Sequence, residues 1–112
     1  MKSKILIFSA TYNEILNIDN FIKSIDELNL EIDILLIDDH SPDNTWKKIQ
    51  EYSKNKENIH LIIRNKKEGL DTAHKIAYEY GLANNYRFLI TLDADLSHDV
   101  KKIPEFIFLR YF

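Results

Sequence analysis

Apolar residues fall along this chain in two alternating rhythms. Four short runs rich in Ile and Leu lack a clean alternation of apolar and polar positions: "KILIFSA" (4–10), "DILLIDD" (33–39), "NIHLIIRN" (58–65) and "RFLITLD" (87–93). Strands hydrophobic on both faces belong to a covered, mostly parallel sheet. Between these runs the apolar positions step by three or four. Ile15, Ile18, Phe21, Ile22, Ile25 and Leu28 form one such set, Trp46, Ile49 and Tyr52 a second, and Ala73, Ile76, Ala77 and Tyr80 a third. That spacing lines one face of a helix. The predicted order is β-α-β-α-β-α-β with a short helix from about Lys101, which implies right-handed crossovers and a doubly wound α/β layer.

Composition narrows the picture without redirecting it. A chain of 112 residues makes a single domain over 1–112, burying roughly two thirds of its unfolded surface. A net charge of −3 offers no electrostatic reason to expect nucleic acid as a partner. Without cysteine there is neither a disulfide framework nor a thiolate metal site, which suits a reducing compartment. In "MKSKILIFSAT" the apolar run spans only Ile5 to Phe8, too short for a signal or a membrane span. The expected location is therefore cytoplasmic. Glycine occurs only at Gly69 and Gly81, so there is no glycine-rich phosphate loop of the dinucleotide or Walker kind.

Polar residues gather where such a sheet binds ligands, beyond the carboxyl ends of its strands. The first predicted strand ends at "SATYNE", the second at "IDDHS" and the fourth at "LDADLSHD". Together these place Glu14, Asp38, Asp39, Asp93 and Asp95 on one edge, a self-repelling set unless a cation or hydrogen-bond donors meet it. In extended backbone Asp93 and Asp95 point to the same side, within roughly 7 Å, while Ala94 turns away. Two hard oxygen ligands then suit Mg²⁺ or Mn²⁺ together with a nucleotide diphosphate. The plainer alternative is a helix cap.

Other residues carry similar pairs of readings. Asp39 can accept hydrogen bonds from a base or ribose, and Asp38 can hold the turn through the Ser41 and Thr45 amides; alternatively both are turn residues. Tyr12 either covers a nucleobase or belongs to the rim. Asn13 is a candidate helix cap with Glu14 in the first turn, and Ser41 or Asp43 can cap the helix carrying Trp46. Arg64, Lys66 and Lys67 read as a solvated charged loop, or as positive partners for a diphosphate beside the helix start at Gly69.

Four ordered segments, "ATYNEILNI", "ILLIDDHSPDNT", "KEGLDTAHKIAYEYG" and "LDADLSHD", resemble the glycosyltransferase family 2 enzymes of GT-A fold. Within that family the dolichyl- and polyprenyl-phosphate mannosyltransferases are the nearest match, over about residues 5–107. The resemblance implies a Rossmann-like α/β sheet, mostly parallel, cut short after its fourth strand. It places Ala10, Tyr12, Glu14, Ile37 and Asp39 in the nucleotide pocket. Asp93, Ala94 and Asp95 would hold the sugar diphosphate, with Asp93 and Asp95 as ligands of Mg²⁺ or Mn²⁺. Ser97 stands where the family often carries a metal-binding glutamine, Ala10 replaces a usual proline, and Val100 replaces a frequent one. His40 and Asn44 occupy positions where glycine or small residues are common, and Asp71 replaces a second glycine.

The implied reaction is transfer of a sugar from a nucleotide diphosphate sugar, GDP-mannose favoured, to a polyprenyl or dolichyl phosphate, in one displacement with inversion. Such a phosphate is already largely anionic near neutral pH, so no catalytic base is assigned. The resemblance implies that this chain is the donor-binding half of such an enzyme. Its open sheet edge and apolar "FIFLRYF" would favour self-association or a partner chain supplying the acceptor half, at the cytoplasmic membrane face. A non-catalytic nucleotide-sugar binder shares every motif. A phosphoreceiver domain shares the acidic pair, but a whole β-α unit precedes Asp38 and too little chain follows Asp93 to supply its later strands.

Overall fold

The computed structural model describes residues 4–65 and 69–95. Strands β1 (Ile5–Thr11), β2 (Ile32–Asp38), β3 (Ile59–Ile63) and β4 (Phe88–Thr91) alternate with helices α1 (Ile18–Asp26), α2 (Thr45–Asn55) and α3 (Leu70–Ala83). All seven elements match the predicted order. The short helix expected from Lys101, the tail "FIFLRYF" and the positions of Lys66, Lys67, Ser97 and Val100 lie outside the described residues.

All strand pairs are parallel, in the order β3-β2-β1-β4. From β1 the chain steps outward to β2 and β3, then crosses back over β1 to place β4 on its other side. The carboxyl ends of β1 and β4 therefore flank a topological switch point, where open α/β sheets leave a crevice. This order also excludes the phosphoreceiver reading, because that fold seats its third strand beside the first, whereas here β4 takes that place.

Alternation along the strands divides the core between two helix layers. Ile18, Phe21, Ile22 and Ile25 of α1 and Ile49 of α2 pack on one face, against Ile7, Ile34, Leu36, Ile90 and Leu92. On the other face, Leu6, Phe8, Leu35, Ile37 and Leu89 meet Ala73 and Ala77 of α3. Residues i and i+2 of a strand share a face, which is why neighbours such as Leu35 and Leu36 serve opposite layers. Ala73, Ala77 and Gly81 are the buried residues of α3, and their four-residue spacing gives a narrow, small-residue seam that lets the helix lie close to the sheet.

Several boundaries differ from the periodicity. The edge strands are shorter than predicted, β3 stopping at Ile63 and β4 at Thr91, although the Leu92 amide still bonds the Phe8 carbonyl at 3.0 Å. Helix α1 starts at Ile18, because Ile15 to Asn17 form a turn in which the amides of Asn17 and Ile18 donate to the Glu14 carbonyl. Asn13 is consequently no helix cap; it sits at φ +55 in the preceding loop. Asn44 occupies the cap position of α2 without a side-chain cap bond, while Asp43 accepts from the Thr45 amide at 3.0 Å. No helix among the described residues is long and apolar enough to cross a membrane.

Candidate functional site

The loops after β1 and β2 are held by carboxylates that the backbone itself requires. Asp38 ends β2 fully buried, 0% exposed, and accepts from the Thr11 hydroxyl at 2.7 Å, the Ser41 amide at 2.8 Å and the Ser41 hydroxyl at 2.7 Å. The Asn13 amide then donates to the same Ser41 oxygen at 2.9 Å. Asp38 thus clamps the turn as anticipated at Ser41, but the Thr45 amide goes to Asp43 instead. Asp43 also accepts from the Thr45 hydroxyl at 2.5 Å and the Ile15 amide at 3.2 Å, while the Glu14 amide donates to the Thr45 hydroxyl at 2.9 Å. Burial pushes the Asp43 carboxyl up. The donors from Thr45 and Ile15 outweigh it and hold the pKa below the ordinary 3.8.

Above this clamp opens a cleft of about 210 Å³ lined by Ala10, Thr11, Tyr12, Glu14, Asp39, Arg64, Gly69 and Leu70. Four of the residues expected in a nucleotide pocket, Ala10, Tyr12, Glu14 and Asp39, are brought together there. Tyr12 is exposed at the rim. Glu14 accepts from the Asn17 side-chain amide at 2.7 Å, which orients its carboxylate. Ile37 is not in the wall; it is buried in the layer beneath, against α3.

Arg64 is the residue that the pattern of charges misread. Instead of standing in a solvated loop it is 7% exposed. Its Nε donates to Asp39 Oδ1 at 2.5 Å and its Nη2 to Asp39 Oδ2 at 2.9 Å. Nη1 reaches the Thr72 hydroxyl at 2.6 Å and Nη2 the Gly69 carbonyl at 3.1 Å. Strand register contains the signal: Asp38 lies opposite Ile63, so one step further Asp39 faces Arg64. Removing one member of a buried ion pair costs about 3–5 kcal/mol, because the other charge is left without compensation.

Asp93 and Asp95 follow β4, across the switch point from the cleft. Ala94 between them is 3% exposed and packs with Ile7, Ile90 and Leu92. Both aspartates are exposed, in the coil and turn after the strand, and neither lines the cleft. Among the described residues no group of three or more His, Asp or Glu side chains converges. A pair of exposed carboxylates still fits Mg²⁺ or Mn²⁺, which take one or two carboxylates and complete their shells with water and phosphate oxygens.

The model of the family described as "Glycosyl transferase family 2" matches residues 6–109. The chain belongs to this family. It is 30% identical over 104 residues to an undecaprenyl-phosphate mannosyltransferase of Micrococcus luteus, covering 93% of this chain and 43% of that protein. It is 34% identical over 106 residues to a dolichol-phosphate mannosyltransferase of Pyrococcus furiosus, covering 93% and 29% respectively. The chain thus spans less than half the length of these relatives. Among solved structures, the mannosyltransferase PcManGT from Pyrobaculum calidifontis in complex with GDP-Man and Mn²⁺ aligns with a TM-score of 0.72 at 18% identity, covering 85% of this chain and 28% of that one. S. aureus TarS aligns at 0.63 and 22% identity, covering 94% and 33%. At these identities the likeness shows the fold, a GT-A-like α/β sheet.

Proposed function

We propose that this family 2 chain forms the donor-binding part of an inverting glycosyltransferase that moves a sugar, mannose from GDP-mannose, to a polyprenyl or dolichyl phosphate. The observation that carries the proposal is the cleft joining Ala10, Tyr12, Glu14 and Asp39 beside the switch point of a family 2 fold. Two named relatives are polyprenol-type phosphate mannosyltransferases, and a structural neighbour holds GDP-Man and Mn²⁺, which favours the same donor here.

In this reading the cleft takes the nucleoside. Its volume is below the ~300–1,000 Å³ of ordinary ligand pockets, which suits a base and ribose with the diphosphate and sugar lying outside. Tyr12 at the rim covers the base, and Asp39 accepts from it. Asp93 and Asp95 would hold a divalent cation, whose charge would offset that building on the leaving diphosphate. Ile37 lies in the core layer against α3 beneath the cleft, and Ala94 packs in the core between the two aspartates after β4. The acceptor phosphate is already anionic, so orientation and electrostatics carry most of the acceleration.

Calorimetry of the 112-residue chain with GDP-mannose, with and without Mn²⁺, tests donor binding, and radiolabel transfer to a polyprenyl phosphate tests turnover. Mn²⁺-dependent binding with inverted product supports the full proposal. Binding without turnover assigns these residues the donor side alone, a nucleotide-sugar-binding module that needs a partner segment. Absence of binding to any nucleotide diphosphate sugar removes both.

A further inference from the structure

Four of the five N–H groups of the Arg64 side chain bond to the protein around the cleft. Its two Asp39 contacts, one to each carboxylate oxygen, form a fork, and two further N–H groups reach the Gly69 carbonyl and the Thr72 hydroxyl. Thr72 in turn donates to that same carbonyl at 2.9 Å, and the Arg64 amide is tied to the Asp38 carbonyl at 2.8 Å. The guanidinium is therefore anchored on three sides and cannot swing. A carboxylate gripped by such a fork loses its freedom to rotate, and a guanidinium is planar where an ammonium is a point charge.

We infer that Arg64 is a positioning and specificity-determining residue of the nucleotide pocket, acting through Asp39. This rests on the donor-site reading above. The fork occupies the converging lone pairs of both Asp39 oxygens, leaving acceptor positions that diverge. Asp39 then reads one ring N–H of a base and not a pair of adjacent donors. Guanine and uracil present such a ring N–H. Adenine and cytosine present a ring nitrogen lone pair at the corresponding place, which a carboxylate repels. The exocyclic amine of guanine goes unread by this residue. Thr72, outside the cleft lining, helps set base preference because it holds the guanidinium in plane.

The test measures affinity of the full chain for GDP, IDP, UDP, ADP and CDP in the presence of Mn²⁺, for wild type, Arg64→Lys and Thr72→Val, with thermal melting of each. Wild type is expected to bind GDP, IDP and UDP about tenfold or more tighter than ADP and CDP, with GDP and IDP within about threefold of each other. Arg64→Lys keeps the charge but loses the fork, and is expected to compress the preference at least about fivefold; Thr72→Val should shift it in the same direction by less. Uniform weakening of all five nucleotides alongside a lowered melting temperature would mean that Arg64 only supports the fold, and would overturn the inference. So would an unchanged preference in both variants. Should Arg64→Lys not fold, the preference of Thr72→Val decides. If wild type binds no nucleotide at all, the donor-site reading itself fails, a result separate from any outcome in the variants.

Discussion

Asp38 accepts three hydrogen bonds with its carboxylate out of solvent, so its replacement leaves three donors facing nothing. Each buried donor left unsatisfied costs about 1–3 kcal/mol. Asp38→Ala should therefore lower the unfolding free energy by about 3 kcal/mol or more, and Asp38→Asn by less, since one oxygen still accepts; urea denaturation ranks the two. An unchanged midpoint in Asp38→Ala would remove its role as clamp. Its neighbour Asp39 has the same side chain but the opposite orientation on the strand, and so faces Arg64 and the cleft instead of Thr11 and Ser41. The aspartates beyond β4 are exposed to solvent, and their charge is what a divalent ion would use. Asp95→Asn keeps the shape and removes the charge; it should weaken Mn²⁺-dependent GDP-mannose binding by about tenfold or more. Retained Mn²⁺ dependence in that variant would assign the ion to other residues.

Contacts between elements carry the pH dependence. Asp43 ties the loop before α1 to the start of α2, and its pKa is lower in the folded chain than the ordinary 3.8. Its contribution is thus complete above that value and is lost as pH falls through the folded pKa. Asp43→Ala should cost about 1 kcal/mol at pH 7, and the gap from wild type should narrow in urea titrations as pH falls below 3.8. On the outer face Tyr52 of α2 donates to Asp19 of α1, beside the Lys48 to Asp19 ion pair at 2.7 Å. That hydrogen bond, with burial second, pushes the phenol from 10 up to about 12. A raised phenol pKa stabilises below pH 10 and is lost as pH rises toward 12, so melting of wild type should fall across that window more steeply than that of Tyr52→Phe. The helices and strands themselves were legible because 3.6-residue spacing and continuous apolar runs are distinct signals. The loops were not. Asn13, His40 and Asn44 all adopt positive φ without being glycine; the unusual occupants of glycine-like positions at His40 and Asn44 hinted at this, but the path of these loops is set by Ser41 and Asp43 bonding across 28 residues. Arg64 became legible only once the parallel register of β2 and β3 was known.

The cleft exists only in the assembled molecule. Its walls come from the ends of β1, β2 and β3 and from the first turn of α3, segments separated along the chain and joined by the sheet. A ligand of that cleft binds the folded state and not the unfolded one, and must raise stability by mass action. At a nucleotide concentration 100 times its Kd the gain is about 2.7 kcal/mol, which for a domain of this size is a rise of about 10 °C in Tm. The two carboxylates after β4 add a condition. If they bridge to the diphosphate through a divalent ion, GDP-mannose with Mn²⁺ should raise Tm well beyond the sum of either alone, and chelation should return the chain to the value seen with GDP-mannose only. Two exposed aspartates by themselves form a weak site, so Mn²⁺ without nucleotide should shift Tm little. Additive shifts would uncouple the acidic pair from the cleft and leave the switch point with a nucleoside site on one side of β1 and an unrelated turn on the other.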